Sequence, residues 1–310
     1  MNDFLFYITI GIISVLVMSK ASNYAVGAMA HYAKTTGISG YLIGFLVISF
    51  GTTLPELSTA IMGSISGQGT LVLGNLIGTG IVNMTLVLGI AAIIGKKLRV
   101  EGEFKSALTI LVLILVPLFL GIDGRLDAKD GIILLFTFGV YVFRMVKKEK
   151  SFSYMKKEIS FRDVWKDMVI FLGCLMAMLL SAKWLLISAL HIANIIHLPL
   201  YLMGLIFMGI ITAVPELTIG IRSVLKGQTG IAFGNIVGSV VVDTILILGI
   251  AAILRPITFD RGMFIPTALF MITSVFIGTL FLNKGKITWK EGIGLLLIYL
   301  TFVVSEGLSI

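Results

Sequence analysis

Two short stretches of an apolar chain hold the residue types that could do chemistry. GTTLPELSTA, residues 51–60, places Pro55 and Glu56 inside a hydrophobic run, and ITAVPELTIG, residues 211–220, does the same with Pro215 and Glu216. Proline has no N–H, so Pro55 leaves the carbonyl of Gly51 without its helical donor, and Pro215 does the same to Ile211. In lipid an unpaired carbonyl is tolerated only where it faces a cavity, protein or a cation. Thr52 and Thr212 each add a hydroxyl at the break, and Glu56 and Glu216 each add a carboxylate one residue past the proline. Of the 16 Asp and Glu residues, only Glu56, Glu216 and Asp243 sit deep in apolar segments. An ionisable residue at that depth marks a functional site by default. Asn83 occupies the position that Asp243 holds in a second copy of the same motif. Two carboxylates, threonine oxygens, an amide and free carbonyls form an all-oxygen cage. Hard cations take such a cage, calcium with about 6–8 oxygens. One cysteine and three histidines cannot supply the thiolate or imidazole clusters that zinc or copper prefer.

The elements that must position these groups are membrane spans. The 310 residues are 57% hydrophobic and 13% charged, against about 25% charged in a soluble domain. Apolar runs of about 20 residues mark spans. Ten occur, near residues 4–30, 41–64, 71–94, 107–121, 131–146, 168–192, 200–225, 231–254, 264–282 and 292–304. The start has no basic segment or cleavage site and reads as the first span rather than a removed signal peptide. A polar stretch, 147–166, separates five spans (1–146) from five (167–310).

The two halves are copies. YLIGFLVISFGTTLPEL pairs with YLMGLIFMGIITAVPEL, and GNLIGTGIVNMTLVLGIAAI with GNIVGSVVVDTILILGIAAI. The constant shift is 160 residues (216 − 56), and it also relates His31 to His191. An odd number of spans per copy turns the second copy upside down in the membrane. Inverted repeats with broken helices are a transporter signature, with the site at the midplane where the halves meet. The expected fold is therefore all-α integral membrane: ten transmembrane helices as two inverted five-helix repeats, with broken helices at the midplane. Gly74, Gly78 and Gly89, with Gly234, Gly238 and Gly249, are expected to let the third and eighth spans pack closely.

Of the 24 lysines and arginines, 18 fall on the side of the central stretch and four, Arg125, Lys129, Arg255 and Arg261, on the other. The positive-inside rule puts 147–166 in the cytoplasm and both termini outside a multi-pass cell-membrane protein. The same rule accounts for the formal charge of +8 without nucleic acid. The expected partners are cations and the lipid bilayer, with no obligate protein partner.

GTTLPE…GNLIGTGIVN and ITAVPE…GNIVGSVVVD resemble the two alpha-repeats of the sodium/calcium exchanger group within the cation/calcium antiporters, over nearly the whole chain. The resemblance implies that Glu56 and Glu216 hold calcium and share it with sodium sites. It adds Thr52 and Thr212 as ligands of both ions, and Asn83 and Asp243 at the middle position. It makes Thr53, Thr79 and Ser239 hydroxyl ligands of sodium, with backbone carbonyls at Ser49 and Gly209. One departure is Ala213, which has no hydroxyl where the family often has serine. The implied function is a secondary antiporter exchanging sodium for calcium by alternating access, the ions being cargo and no cofactor needed. A calcium/proton antiporter of the same superfamily is the alternative, and a passive cation channel a third class. No Gly-x-x-x-x-Gly-Lys-Ser/Thr loop and no His-Glu-x-x-His motif point to a pump or an intramembrane enzyme.

Overall fold

The computed structural model describes residues 2–35, 49–99, 104–148, 161–227 and 229–308. Residues 41–48, the start of the expected second span and of the repeat match, lie outside them, as does most of the central stretch, 149–160. In chain order the helices are α1 (Asn2–Thr35), α2 (Ser49–Thr52), α3 (Leu54–Ile65), α4 (Gly69–Val82), α5 (Leu88–Gly95), α6 (Phe104–Leu120), α7 (Ala128–Lys148) and α8 (Phe161–Ile195). There follow α9 (Leu200–Leu202), α10 (Gly209–Thr212), α11 (Val214–Leu225), α12 (Thr229–Val241), α13 (Leu248–Leu254), α14 (Arg261–Lys284) and α15 (Trp289–Leu308). Among the described residues, 7 helical stretches are long and apolar enough to cross a membrane. The expected fourth span is a shorter apolar helix, Leu108–Asp123.

At the Pro-Glu stretches the helix is interrupted more gently than the word broken implies. α2 passes into α3 through Thr53 alone (φ −84°, ψ 6°), and α10 into α11 through Ala213 alone (φ −74°, ψ 0°). Each proline lies in the first turn of the following helix, where a missing N–H is best tolerated. Backbone bonds still span both points, Leu57 N to Thr53 O at 2.9 Å and Leu217 N to Ala213 O at 3.0 Å. Wide π turns supply further irregularity. Asn83–Val87 joins α4 to α5, Met203–Met208 joins α9 to α10, and Val242–Ile247 joins α12 to α13. Such turns are rare in ordinary helices and recur at functional sites. Here Asn83 opens the first and Asp243 lies in the last.

Close backbone approach fixes the centre. A methyl group at Gly74 would lie 2.2 Å from the Tyr201 carbonyl oxygen, and one at Gly78 would lie 2.0 Å from that of Leu205. The third span therefore presses on the seventh, so side chains on both reach the same space. Gly89 meets Gly292 of α15, and Gly249 meets Gly131 of α7, so each glycine-bearing span also binds the last span of the opposite half. Gly69–Gly95 and Ala232–Leu254 are 78% and 83% buried, whereas Asp3–Ala25 of α1 is 17% and Trp165–Ile195 of α8 is 28% buried. The repeated motif thus forms the core, and α1 and α8 pack on each other at its edge.

Two antiparallel ribbons join the halves. β1 (Lys97–Arg99) pairs with β4 (Lys286–Thr288) through Leu98 opposite Ile287, and β2 (Arg125–Leu126) pairs with β3 (Ile257–Thr258) through Leu126 opposite Ile257. All four apolar residues are buried. Each ribbon takes one strand from each half. The shift of 160 carries Lys97 onto Ile257, so the two ribbons are counterparts of each other.

Candidate cation-binding site

The two interruptions bring their hydroxyls to the opposite half of the chain. Thr52 Oγ1 lies 3.3 Å from Asn235 Oδ1 and 3.3 Å from Ser239 Oγ, both on α12. Thr212 Oγ1 lies 3.1 Å from Asn75 Oδ1 and 3.1 Å from Thr79 Oγ1, both on α4. Adding 160 to Thr52, Asn75 and Thr79 yields Thr212, Asn235 and Ser239, so one three-residue arrangement occurs twice with its halves exchanged. These contacts tie α2 to α12 and α10 to α4.

Glu56, Glu216, Asp243 and Asn83 are fully buried beside this cluster. Glu216 Oε1 accepts a 3.4 Å bond from Ser239 Oγ. Among the described residues, neither oxygen of Glu56 or of Asp243, nor either amide atom of Asn83, has a hydrogen-bond partner. Among the described residues, no ion pair joins any of the three acids to a cation. Glu56 is within electrostatic reach of both Glu216 and Asp243. Buried polar atoms are nearly always paired, and the five unpaired carboxylate oxygens of Glu56, Asp243 and Glu216 present oxygen to something the protein does not supply. They do not close into a preformed three-acid cluster, and among the described residues no such metal group occurs. Hydroxyl and amide oxygens complete the donor set.

One sequence expectation needs correction at this level, and the protein contacts of the other residues can be stated. The Gly51 carbonyl, expected to be free, accepts a 2.9 Å bond from Ser22 Oγ of α1. Proline removed its local donor, and a neighbouring helix replaced it. Thr53 Oγ1 turns back on the Phe50 carbonyl at 3.2 Å instead of joining the Thr52 cluster. The Ser49 carbonyl accepts from Thr52 Oγ1 at 3.0 Å, and that of Gly209 from Ala213 N at 3.4 Å, so both already have a protein donor. Asn75 and Asn235 link to the interruptions themselves. Thr59 was missed, and it accepts from Asn75 Nδ2 at 3.3 Å. Its counterpart is Ile219, and Asn235 Nδ2 has no partner. The second half thus lacks several hydroxyls of the first: Ala182 stands for Ser22, Gly209 for Ser49, Ala213 for Thr53 and Ile219 for Thr59.

Access to the cluster is narrow. A cavity of about 10 Å³ is lined by Val15, Met18 and Ser19 of α1, by Leu185 of α8, by Pro55 at the first interruption, and by Ile211, Thr212, Val214 and Pro215 at the second. That is room for roughly one water. Further along α8 a wider cleft of about 490 Å³ is lined by Gln68, His191, Asn194 and His197. The two edge helices are joined near both ends. His31 Nδ1 lies 2.7 Å from Asp167 Oδ2, and the rings of Tyr7 and His191 stack 4.1 Å apart. A shift of 160 turns positions 7 and 31 into 167 and 191, so both contacts use the same pair of repeat positions.

The family model described as sodium/calcium exchanger protein matches residues 6–147 and 166–306. This chain belongs to the sodium/calcium exchanger family. It is therefore a multi-pass integral membrane protein of the cation/calcium antiporter superfamily, whose members are transporters. The sodium/calcium exchanger MaX1 of Methanosarcina acetivorans is 25% identical, over 94% of this chain and 96% of its own. A structure of the sodium-calcium exchanger NCX_Mj, soaked with sodium and without calcium, superposes with a TM-score of 0.72 at 24% identity, covering 97% of this chain and 99% of that one. The H+/Ca2+ exchanger CAX superposes with a TM-score of 0.77 at 17% identity, covering 96% and 82%. At these identities the structures establish a shared exchanger fold.

Proposed function

We propose that this family member exchanges sodium for calcium by alternating access, with ten spans arranged as two inverted five-span repeats, 1–146 and 167–310, around a cytoplasmic linker. The carrying observation is the set of buried acids without a counter-charge, held between two copies of the Thr-Asn-hydroxyl arrangement. Glu56 and Glu216 supply the two negative charges that neutralise one calcium. Thr52, Thr212, Asn83 and Asp243 complete its oxygen shell. Sodium is also a hard cation and uses the same carboxylates, so calcium and sodium cannot occupy them together, which is what exchange requires. Thr79 and Ser239 serve flanking sodium ions, with Thr53 and the carbonyls of Ser49 and Gly209 entering when a cation replaces their present donors.

Ala213 favours a second reading. It withholds a hydroxyl from one sodium position, and a calcium/proton antiporter needs fewer sodium donors. Calcium uptake into proteoliposomes under imposed sodium, potassium or proton gradients separates the two. Uptake driven by outward sodium supports the first reading; uptake driven only by protons replaces it with the second.

A further inference from the structure

The Ser22–Gly51 bond has a consequence for the cycle of the proposed antiporter, and the inference rests on that reading. Ser22 is buried on α1, the edge helix, while Gly51 belongs to the core at the first interruption. The bond spans 29 residues of chain and joins a peripheral element to the point where Pro55 removed a donor. Pro55 cannot replace it, so moving α1 away takes from this buried carbonyl the side-chain donor it has here. At the second interruption the equivalent residue on α8 is Ala182, fully buried and without a hydroxyl. There the matching carbonyl, that of Ile211, accepts a backbone N–H rather than a side-chain hydroxyl, and a small cavity lies between Pro55 and the residues Ile211, Thr212, Val214 and Pro215. The cavity and the wider cleft lie along the same helix, α8, at Leu185 and at His191.

We propose that Ser22 is a positioning residue that clamps α1 to the first interruption and biases the protein toward the state in which the second interruption faces the cleft. Repeat symmetry alone would leave the two access states close to balanced, because each is built from the same contacts with the halves exchanged. A hydroxyl on one edge helix and a methyl on the other removes that balance. The clamp also keeps the Gly51 carbonyl occupied by protein in the favoured state.

The test reads the conformation directly. Ser19 lines the cavity, so Ser19→Cys in a Cys174→Ala background reports access when an impermeant maleimide is applied to each face of oriented proteoliposomes. Ser22→Ala should lower the labelling rate from the cleft face relative to the opposite face by a few-fold to about tenfold, the range of one hydrogen bond. Ala182→Ser, in the Ser22→Ala background, gives the hydroxyl to the other helix and should shift the ratio further in the same direction. A labelling ratio unchanged by Ser22→Ala in folded, monodisperse protein overturns the proposal. Because labelling needs no sodium gradient, a shifted ratio without sodium-driven calcium flux refutes the exchange reading and leaves the role of Ser22 standing.

Discussion

At the scale of single residues, charge and hydroxyl count govern the behaviour expected of the site. Removing one of two carboxylates that face a divalent ion leaves its charge half compensated. Glu56→Gln or Glu216→Gln should lower calcium affinity by roughly a hundredfold or more, the order expected when a buried charge loses its partner. Calcium flux in proteoliposomes should fall to background, and near-normal flux in either variant would remove that residue from the calcium shell. Ala213→Ser restores a hydroxyl beside the second interruption. The first-half counterpart, Thr53, spends its hydroxyl on the Phe50 carbonyl at 3.2 Å, so a serine at 213 must leave its own carbonyl to reach an ion. The expected gain in apparent sodium affinity is several-fold, within the range of one hydrogen bond, with calcium affinity nearly unchanged. Concentration dependence of sodium-driven flux measures it, and an unchanged half-saturating sodium concentration would show that position 213 lies outside the sodium shell.

At the scale of elements, α1 and α8 should travel as one unit over the core. A β-carbon placed at Gly11 would lie 3.6 Å from Ser188 Cβ, within the range that a disulfide bridges. Gly11→Cys with Ser188→Cys, oxidised in a Cys174→Ala background, should therefore leave exchange intact. Bridging Met18→Cys to Ile211→Cys across the cavity with a short bifunctional thiol reagent ties edge to core and should stop turnover while calcium binding persists. Exchange that survives the second cross-link would argue against sliding. Much of this arrangement is legible in the sequence. Pro55 and Pro215 mark the interruptions because the loss of an N–H is a local fact. The Thr52, Asn75 and Thr79 set and its copy are visible because the repeat preserves their spacing. The cap on Gly51 is not legible, since its donor lies on another helix and nothing local ties Ser22 to a proline 33 positions later. The π turns are equally silent, because a single added residue per turn leaves apolar composition untouched. The ribbons escape notice because strands of two or three residues carry no periodicity to read.

At the scale of the whole molecule, the charge count predicts an orientation that labelling can test. Lys97 and Arg125 are both exposed, one on each ribbon. With 147–166 in the cytoplasm, Arg125→Cys should react quickly with an impermeant thiol reagent in intact cells, and Lys97→Cys only after permeabilisation, again without Cys174. The reverse pattern would invert the protein in the membrane.

The ribbons have a further consequence for what makes this chain one molecule. Leu98 meets Ile287 and Leu126 meets Ile257, while Gly89 touches Gly292 and Gly131 touches Gly249, and every one of these contacts crosses from one half to the other. The peptide bond between the halves is then a convenience of synthesis rather than a structural necessity. Two separately translated chains, 1–154 and 155–310, should assemble in the same membrane, co-purify through a tag on either one, and move calcium together where neither does so alone. If the tagged half comes down without its mate, the continuous backbone is needed for assembly, and the ribbons fasten only a pairing that the linker has already made.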